Sequence, residues 1–265
     1  MNKKPPTIYP LNVEKSYARS IVSYIDEMER IAIKVVTKEI YPIIEKQRIR
    51  ADGYREDFSF ELIKKVLKKL NVFFYGIMSE KTALRESTKF VNSINVVNEA
   101  NVTKQLAVRG VNPIKSSAWL RDFVKAKAQE NAAYISTIPD EFYNKVAQSV
   151  MRTVSEGGSL EEIVQDIQKQ GGVSRSRAEF IARDQTGSIL GQITAERHQR
   201  AGFPAFRWSD SDDNRVRPTH REKNNKIFLY ADDPLLPGED YGCRCIAEPV
   251  DYDELEAYNK EIGKG

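Results

Sequence analysis

From residue 12 to about residue 200, apolar positions recur every three or four residues, the period of an amphipathic helix. The run NVEKSYARSIVSYIDEMERIAIKVVTKEIYPII places Ala18, Ile21, Val22, Ile25, Met28, Ile31, Ala32 and Val35 on one stripe. Pro42 is expected to end or kink that helix, because it lacks an N–H and its ring meets the preceding turn. A second run, FSFELIKKVLKKLNVFFYGI, aligns Phe60, Ile63, Val66, Leu67 and Leu70 and turns Lys64, Lys65, Lys68 and Lys69 the other way. Such a lysine face is either solvated surface or a contact for nucleic acid. The stretch KFVNSINVVNEANVTKQLAVRGVNP, Lys89 to Pro113, has no clean period and many asparagines, and predicts a connector or mobile region.

From Ile138 onward the helices carry explicit boundary signals. Pro139, Asp140 and Glu141 suit a first turn, where proline's missing N–H is not needed and carboxylates meet the positive dipole end. Phe142, Val146, Val150 and Val154 form the buried stripe, which Gly157-Gly158 closes. Ser159 and Glu162 have capping-box spacing and open a helix through Ile163 and Ile167. Gly171-Gly172 is expected to end it, with Ser174 capping a third helix buried through Ala178, Ile181, Ala182, Ile189, Leu190 and Ile193. Gly187 and Gly191, one turn apart, would let a neighbouring backbone approach closely. His198, near the end of this helix, reads as a capping side chain at the negative dipole end.

After Gly202 the period falls to two. Phe206 and Trp208 alternate with Arg207 and Ser209, KIFLY forms a short run, and CRCIAEPV alternates again, so short strands are expected between loops rich in Asp, Pro and Gly. The fold class is α+β: a mostly helical N-terminal body followed by a small α+β C-terminal module with short strands. The expected divisions are a helical region over 1–130, the module over 131–250 and an acidic tail over 251–265, the tail being either a final helix or a frayed end.

Charge separates the two ends. Residues 1–150 carry 25 Lys and Arg against 17 Asp and Glu, whereas residues 201–265 carry 9 against 14. A basic half of this kind suits solvated helix faces or sequence-independent contact with phosphate. No stretch approaches the roughly 18 consecutive apolar residues of a membrane span, and the prolines in MNKKPPTIYP interrupt any signal-peptide core. A soluble protein made in the cytoplasm is expected. Two cysteines alone do not make a secreted disulfide framework, and a bridge within Cys243-Arg244-Cys245 would close a strained ring.

The chemistry concentrates in the module. Asp213, His220, Cys243 and Cys245 are zinc-binding residue types, and on a strand Cys243 and Cys245 point to one face. One reading is a cluster of both cysteines and His220 with Asp213 as candidate fourth ligand. The other makes the cysteines small buried thiols and His220 a hydrogen-bonded loop residue. Asp210, Asp212 and Asp213 beside Arg215 and Arg217 are either ion pairs pinning loops or part of an enzyme site. No P-loop, Rossmann glycine pattern, H-E-x-x-H or G-x-S-x-G occurs.

An ordered set of words then carries a family resemblance: IPDEFYNKV at 138, GGSLEEIVQDI at 157, GVSRSRAEFIARDQTG at 172, Trp208, DNRVRPTH at 213, Phe228, PGEDYGCRC at 237 and AEPV at 247. Residues 130–250 resemble the MuF-type minor head proteins of tailed bacteriophages, also called the phage head morphogenesis family. The resemblance implies a non-enzymatic virion component made in the host cytoplasm and located inside the head near the portal. Its implied partners are the portal protein, scaffold or major capsid protein, and double-stranded DNA bound without sequence preference, so that packaged DNA or its ejection is affected. It implies no cofactor, zinc being the exception that the cysteine cluster leaves open. The alternative is a metal-dependent hydrolase or toxin-like enzyme. One departure stands out: where the family commonly has glycine before the aromatic, HREKNNKIF has Asn225, which tolerates the same left-handed geometry.

Overall fold

Pro42 leaves the carbonyl one turn before it without its usual donor, and the chain responds with a wider turn. Helix α1 (Leu11–Val35) passes into a π-helical turn (Val36–Ile40) and then α2 (Tyr41–Ile49), the Tyr41 N–H bonding the Val36 carbonyl. The computed structural model describes residues 5–49, 58–108, 118–156 and 158–263. Lys3, Lys4, Gly157 and residues 109–113 of the expected connector lie outside the described residues. The chain continues through α3 (Phe58–Ile77), α4 (Glu80–Ala107), α5 (Ala118–Ser136), α6 (Ile138–Glu156) and α7 (Leu160–Arg200).

Two compact units emerge, each discontinuous in sequence: residues 18–86 with 131–179, and residues 1–17 with 87–130 and 180–265. In the first, the stripe of α1 is buried through Ile21, Ile25, Met28 and Ala32, while Ile63, Leu70 and Phe74 of α3 face Phe142, Val146 and Val150 of α6. The Phe74 and Phe142 rings stack at 5.5 Å. Lys64, Lys65, Lys68 and Lys69 are all exposed. The capping box forms as expected: Ser159 N–H donates to Glu162 Oε2 at 2.7 Å and Glu162 N–H to Ser159 Oγ at 3.2 Å.

Helix α7 corrects the expectation of a stop at Gly171-Gly172. It runs 41 residues without interruption, so Ser174 is interior and caps nothing. Neither glycine adopts positive φ, and glycine in a helix costs only about 1 kcal/mol relative to alanine. The Glu29 carboxylate occupies the space a Cβ of Gly171 would need, and Arg175 one turn on bonds Asp26 and Glu29, each at 2.8 Å.

The Asn-rich run is also corrected, since residues 89–107 lie within helix α4. Its polar residues are buried because they have tertiary partners in the second unit. Asn98 donates to Thr194 Oγ1 at 2.7 Å and accepts from Arg197. Asn101 accepts from Ile8 N–H and donates to the Pro6 carbonyl, both at 2.9 Å. Gln105 bonds the Pro5 carbonyl and Thr7. An extended N-terminal segment is thereby clamped to α4.

The same unit holds an antiparallel sheet in which β1 (Ala205–Ser209) lies between β2 (Ile227–Leu229) and β3 (Ile246–Val250). Phe206 is opposite Phe228 on one side and Pro249 on the other; β3 is an edge strand, where a missing ladder donor is tolerated. Thr7 N–H and Oγ1 bond Glu248 and the Ala247 carbonyl. A short α8 (Pro218–Arg221) joins β1 to β2, and α9 (Tyr252–Glu261) makes the acidic tail a helix capped by Asp251, which accepts from Glu254 N–H at 2.8 Å. Asn225 has φ +65°, the left-handed geometry expected of it. His198 does not act as a cap: it is buried, with Nδ1 2.9 Å from the Tyr230 hydroxyl and its ring against Phe203. Among the described residues no helix is long and apolar enough to cross a membrane.

A Cβ on Gly187 would lie 2.3 Å from the Cys243 carbonyl oxygen, and one on Gly191 2.3 Å from that of Pro237, whereas Gly172 faces open space. Gly187→Ala and Gly191→Ala are each expected to destabilise the protein by about 1–3 kcal/mol through backbone overpacking. Gly172→Ala should instead stabilise by up to about 1 kcal/mol. Chemical denaturation of the three variants checks the contrast.

Candidate functional site

The glycine face of α7 seats the loop PGEDYGCRC. Only a helix without side chains at 187 and 191 leaves room for the carbonyls of Pro237, Gly238 and Cys243. The loop turns through Gly238 (φ +96°) and Gly242 (φ +61°). Glu239 accepts from Leu236 N–H at 3.0 Å, and Gly242 N–H donates to Asp184 Oδ1 of α7 at 2.9 Å. These backbone interactions fix the loop's path, and their outcome is the placement of Cys243 and Cys245.

Both cysteines are buried and unbridged. They do not lie on a strand, as the alternation predicts, but in the extended segment just before β3. Extended geometry alone puts residues i and i+2 on one side: both sulfurs turn inward, while Arg244 between them turns away. His220, held at the end of α8, presents Nδ1 to Cys243 Sγ at 3.4 Å and to Cys245 Sγ at 3.5 Å. The three ligand-type atoms lie within 4.8 Å of one another. On its other side His220 Nε2 is 3.1 Å from Asp240 Oδ2. A carboxylate accepts, so the ring donates from Nε2, and Nδ1 is the nitrogen that faces the two sulfurs.

The sulfurs are inequivalent. A hydrogen bond from the Cys245 side chain, opposed by burial and assisted by backbone amides, draws the Cys243 thiol down to about 6. The same hydrogen bond, together with burial, pushes Cys245 up. The Cys245 N–H donates to Cys243 Sγ at 3.3 Å. Trp208 covers the cluster, its ring edge-on to His220 at 5.2 Å.

A cleft opens beside the sulfurs, lined by Arg183, Asp213, Arg215, Arg217, Gly242 and Arg244. Asp213 is on its wall but outside the three-atom group; its carboxylate accepts from Arg215 N–H at 2.8 Å. The acidic and basic residues of SDSDDNRVR do not pair with one another as expected. Asp210 accepts from Asp212 N–H, Asp213 from Arg215 N–H, and Arg217 crosses to the Tyr241 carbonyl and to Asp240. Short aspartate side chains reach amides two residues on more readily than an arginine across a turn.

Arg244, whose sequence context offered no partner, forms a buried two-pronged pair with Glu14 at 2.5 and 3.0 Å, and Tyr9 donates to the same carboxylate at 2.7 Å. Burial alone would raise the Glu14 carboxyl, but the bonds from Arg244 and Tyr9 outweigh it and hold the group below its usual range. Asp240 was equally hidden: it stands inside PGEDYGCRC, and only the fold brings it to His220.

The family described as Phage Mu protein F like protein matches residues 144–248, a range containing α7's glycine face, the sheet's first two strands, His220 and both cysteines. The chain is similar to an uncharacterized protein of Haemophilus influenzae, 32% identical over 211 residues that make up 76% of this chain and 45% of the relative. It is also similar to an uncharacterized protein of Methanocaldococcus jannaschii, 29% identical over 123 residues, 43% of this chain and 18% of the relative. The chain thus spans less than half the length of these curated relatives. No solved structure matches the chain at a significant level.

Removing Arg244 would leave a buried carboxylate without its counter-charge. Arg244→Ala is expected to cost about 2–4 kcal/mol near neutral pH, somewhat below the full value for a wholly buried pair because the guanidinium keeps some contact with water. Since the folded-state Glu14 carboxyl is depressed, the pair's stabilisation is present above the ordinary carboxylate range and lost as pH falls through the folded value. Denaturation curves for the two proteins should therefore converge in acid and separate at neutral pH.

Proposed function

We propose, from the match of residues 144–248 to the family described as Phage Mu protein F like protein, that this chain is a minor head protein of a tailed phage. The match supports a phage head-related protein; association with the portal during head assembly, inside the head, is the finer reading. The observation that carries it is the family match over the same residues that build the glycine-seated loop and its cysteine cluster. The curated relatives add no activity of their own.

A second element of the proposal is non-specific contact with double-stranded DNA. It draws on the exposed lysines Lys64, Lys65, Lys68 and Lys69, which follow one face of α3. Lys64 pairs with Glu61 at 2.9 Å, but the pair is exposed and of the kind that is worth little. Lysines so placed neutralise phosphates without reading bases. The non-enzymatic part of the proposal draws on the family match alone.

Co-expression with the portal protein encoded in the same genome should yield a complex that survives affinity purification and gel filtration. A portal that assembles normally yet never retains this chain contradicts the proposal. DNA affinity should fall steeply with salt, and changing the four lysines of α3 to Gln should lower the slope by about 0.9 for each phosphate that is no longer neutralised. Binding that ignores salt contradicts the DNA part.

A further inference from the structure

The two sulfur-to-nitrogen distances in the cysteine cluster are those of ligands around one ion. In a tetrahedral zinc site, with Zn–S near 2.3 Å and Zn–N near 2.0–2.1 Å, a sulfur and a nitrogen ligand stand about 3.5 Å apart. The two Sγ to Nδ1 distances are 3.4 and 3.5 Å. Two sulfurs converging on the same ring nitrogen is not what a simple thiol–imidazole hydrogen bond needs, since Nδ1 has one lone pair. We propose that Cys243, Cys245 and His220 Nδ1 bind one zinc ion, with the fourth position open to the cleft beside them. The inference rests on geometry within this unit and stands apart from the phage-head reading.

Three further observations support it. Asp240 accepts from His220 Nε2 at 3.1 Å, the carboxylate–histidine arrangement that fixes the tautomer and orientation of a metal-binding imidazole. The Cys245 N–H points at Cys243 Sγ at 3.3 Å, and such a donor serves a charged sulfur better than a neutral thiol. Finally, two thiolates and a neutral imidazole cancel the charge of a divalent cation, which lets the ion sit in a buried pocket without a net charge to desolvate.

Binding here displaces the thiol protons that remain and forms two Zn–S bonds and one Zn–N bond, with no change in oxidation state. Asp213 takes no part, because its carboxylate lies outside the group formed by the two sulfurs and the His220 ring. A water molecule or an anionic group completes the tetrahedron, and the arginines lining the cleft favour the anion.

The test uses the full chain purified without chelator. About one zinc per chain is expected by elemental analysis, and titration of the stripped protein with cobalt(II) should give the intense sulfur-to-cobalt charge-transfer band of a thiolate site. Asp240→Asn should weaken zinc roughly 10–100-fold, Cys243→Ser and His220→Ala by at least as much, and Asp213→Asn should not change it. Wild-type protein that is folded by circular dichroism, contains no zinc and gives no charge-transfer band overturns the proposal. So does metal binding that survives Cys243→Ser. Should a cysteine variant fail to fold, the cobalt titration of the wild type still decides.

Discussion

The C-terminal module depends on a backbone-to-backbone contact. Where α7 carries Gly187 and Gly191, the loop from Pro237 to Cys243 lies so close that no Cβ would fit. Proteins rarely gain much from such contacts in energy alone; what this one supplies is position. With the loop's path set by two left-handed glycines and by the Gly242 amide on Asp184, the sulfurs arrive beneath His220 and the Asp240 carboxylate reaches the far side of the same ring. The apolar cluster of Phe206, Trp208, Ala247 and the two cysteines then packs around them.

A second layer of constraint is polar and long in sequence. The N-terminal segment is tied to α4 by Asn101 and Gln105, to β3 through Thr7, and to the cysteine loop through Glu14 and Arg244. Buried groups of this kind contribute modestly when paired and are costly when one partner is removed. They therefore specify one arrangement of residues 5–17 more than they add stability. The same logic applies to Arg197, whose buried guanidinium is received by Asn95, Asn98 and Glu99.

What could be read from sequence was whatever has a local cause. The stripes of α1, α3 and α6, the Ser159–Glu162 capping box, the close approach at Gly187 and Gly191, and the left-handed Asn225 all follow from spacing or from one residue's conformational range. What could not be read has causes elsewhere in the chain. The asparagines of α4 look like a connector until their partners at residues 5–8 and 194–197 are known. The helix through Gly171-Gly172 continues because Glu29 and Arg175 meet over it. The Cys-x-Cys pair was visible, and so was His220, but Asp213 was the acidic residue that spacing suggested, whereas the fold selects Asp240. Charge spacing along a loop does not reveal which carboxylate faces a ring 20 residues away.

If the glycine contact positions the cysteine loop as described, the loop is as ordered as the helix beneath it, although it has no strand or helix of its own. Native-state hydrogen exchange reads this directly through the amides of Gly242, Cys243 and Cys245, which bond Asp184, Asp240 and Cys243 Sγ. Protection comparable with the buried amides of Ile189 and Leu190 is the predicted result, because loop and helix open together. Exchange as fast as that of the exposed turn at Ser211 to Asn214 would contradict the account, since the loop would then open independently of α7.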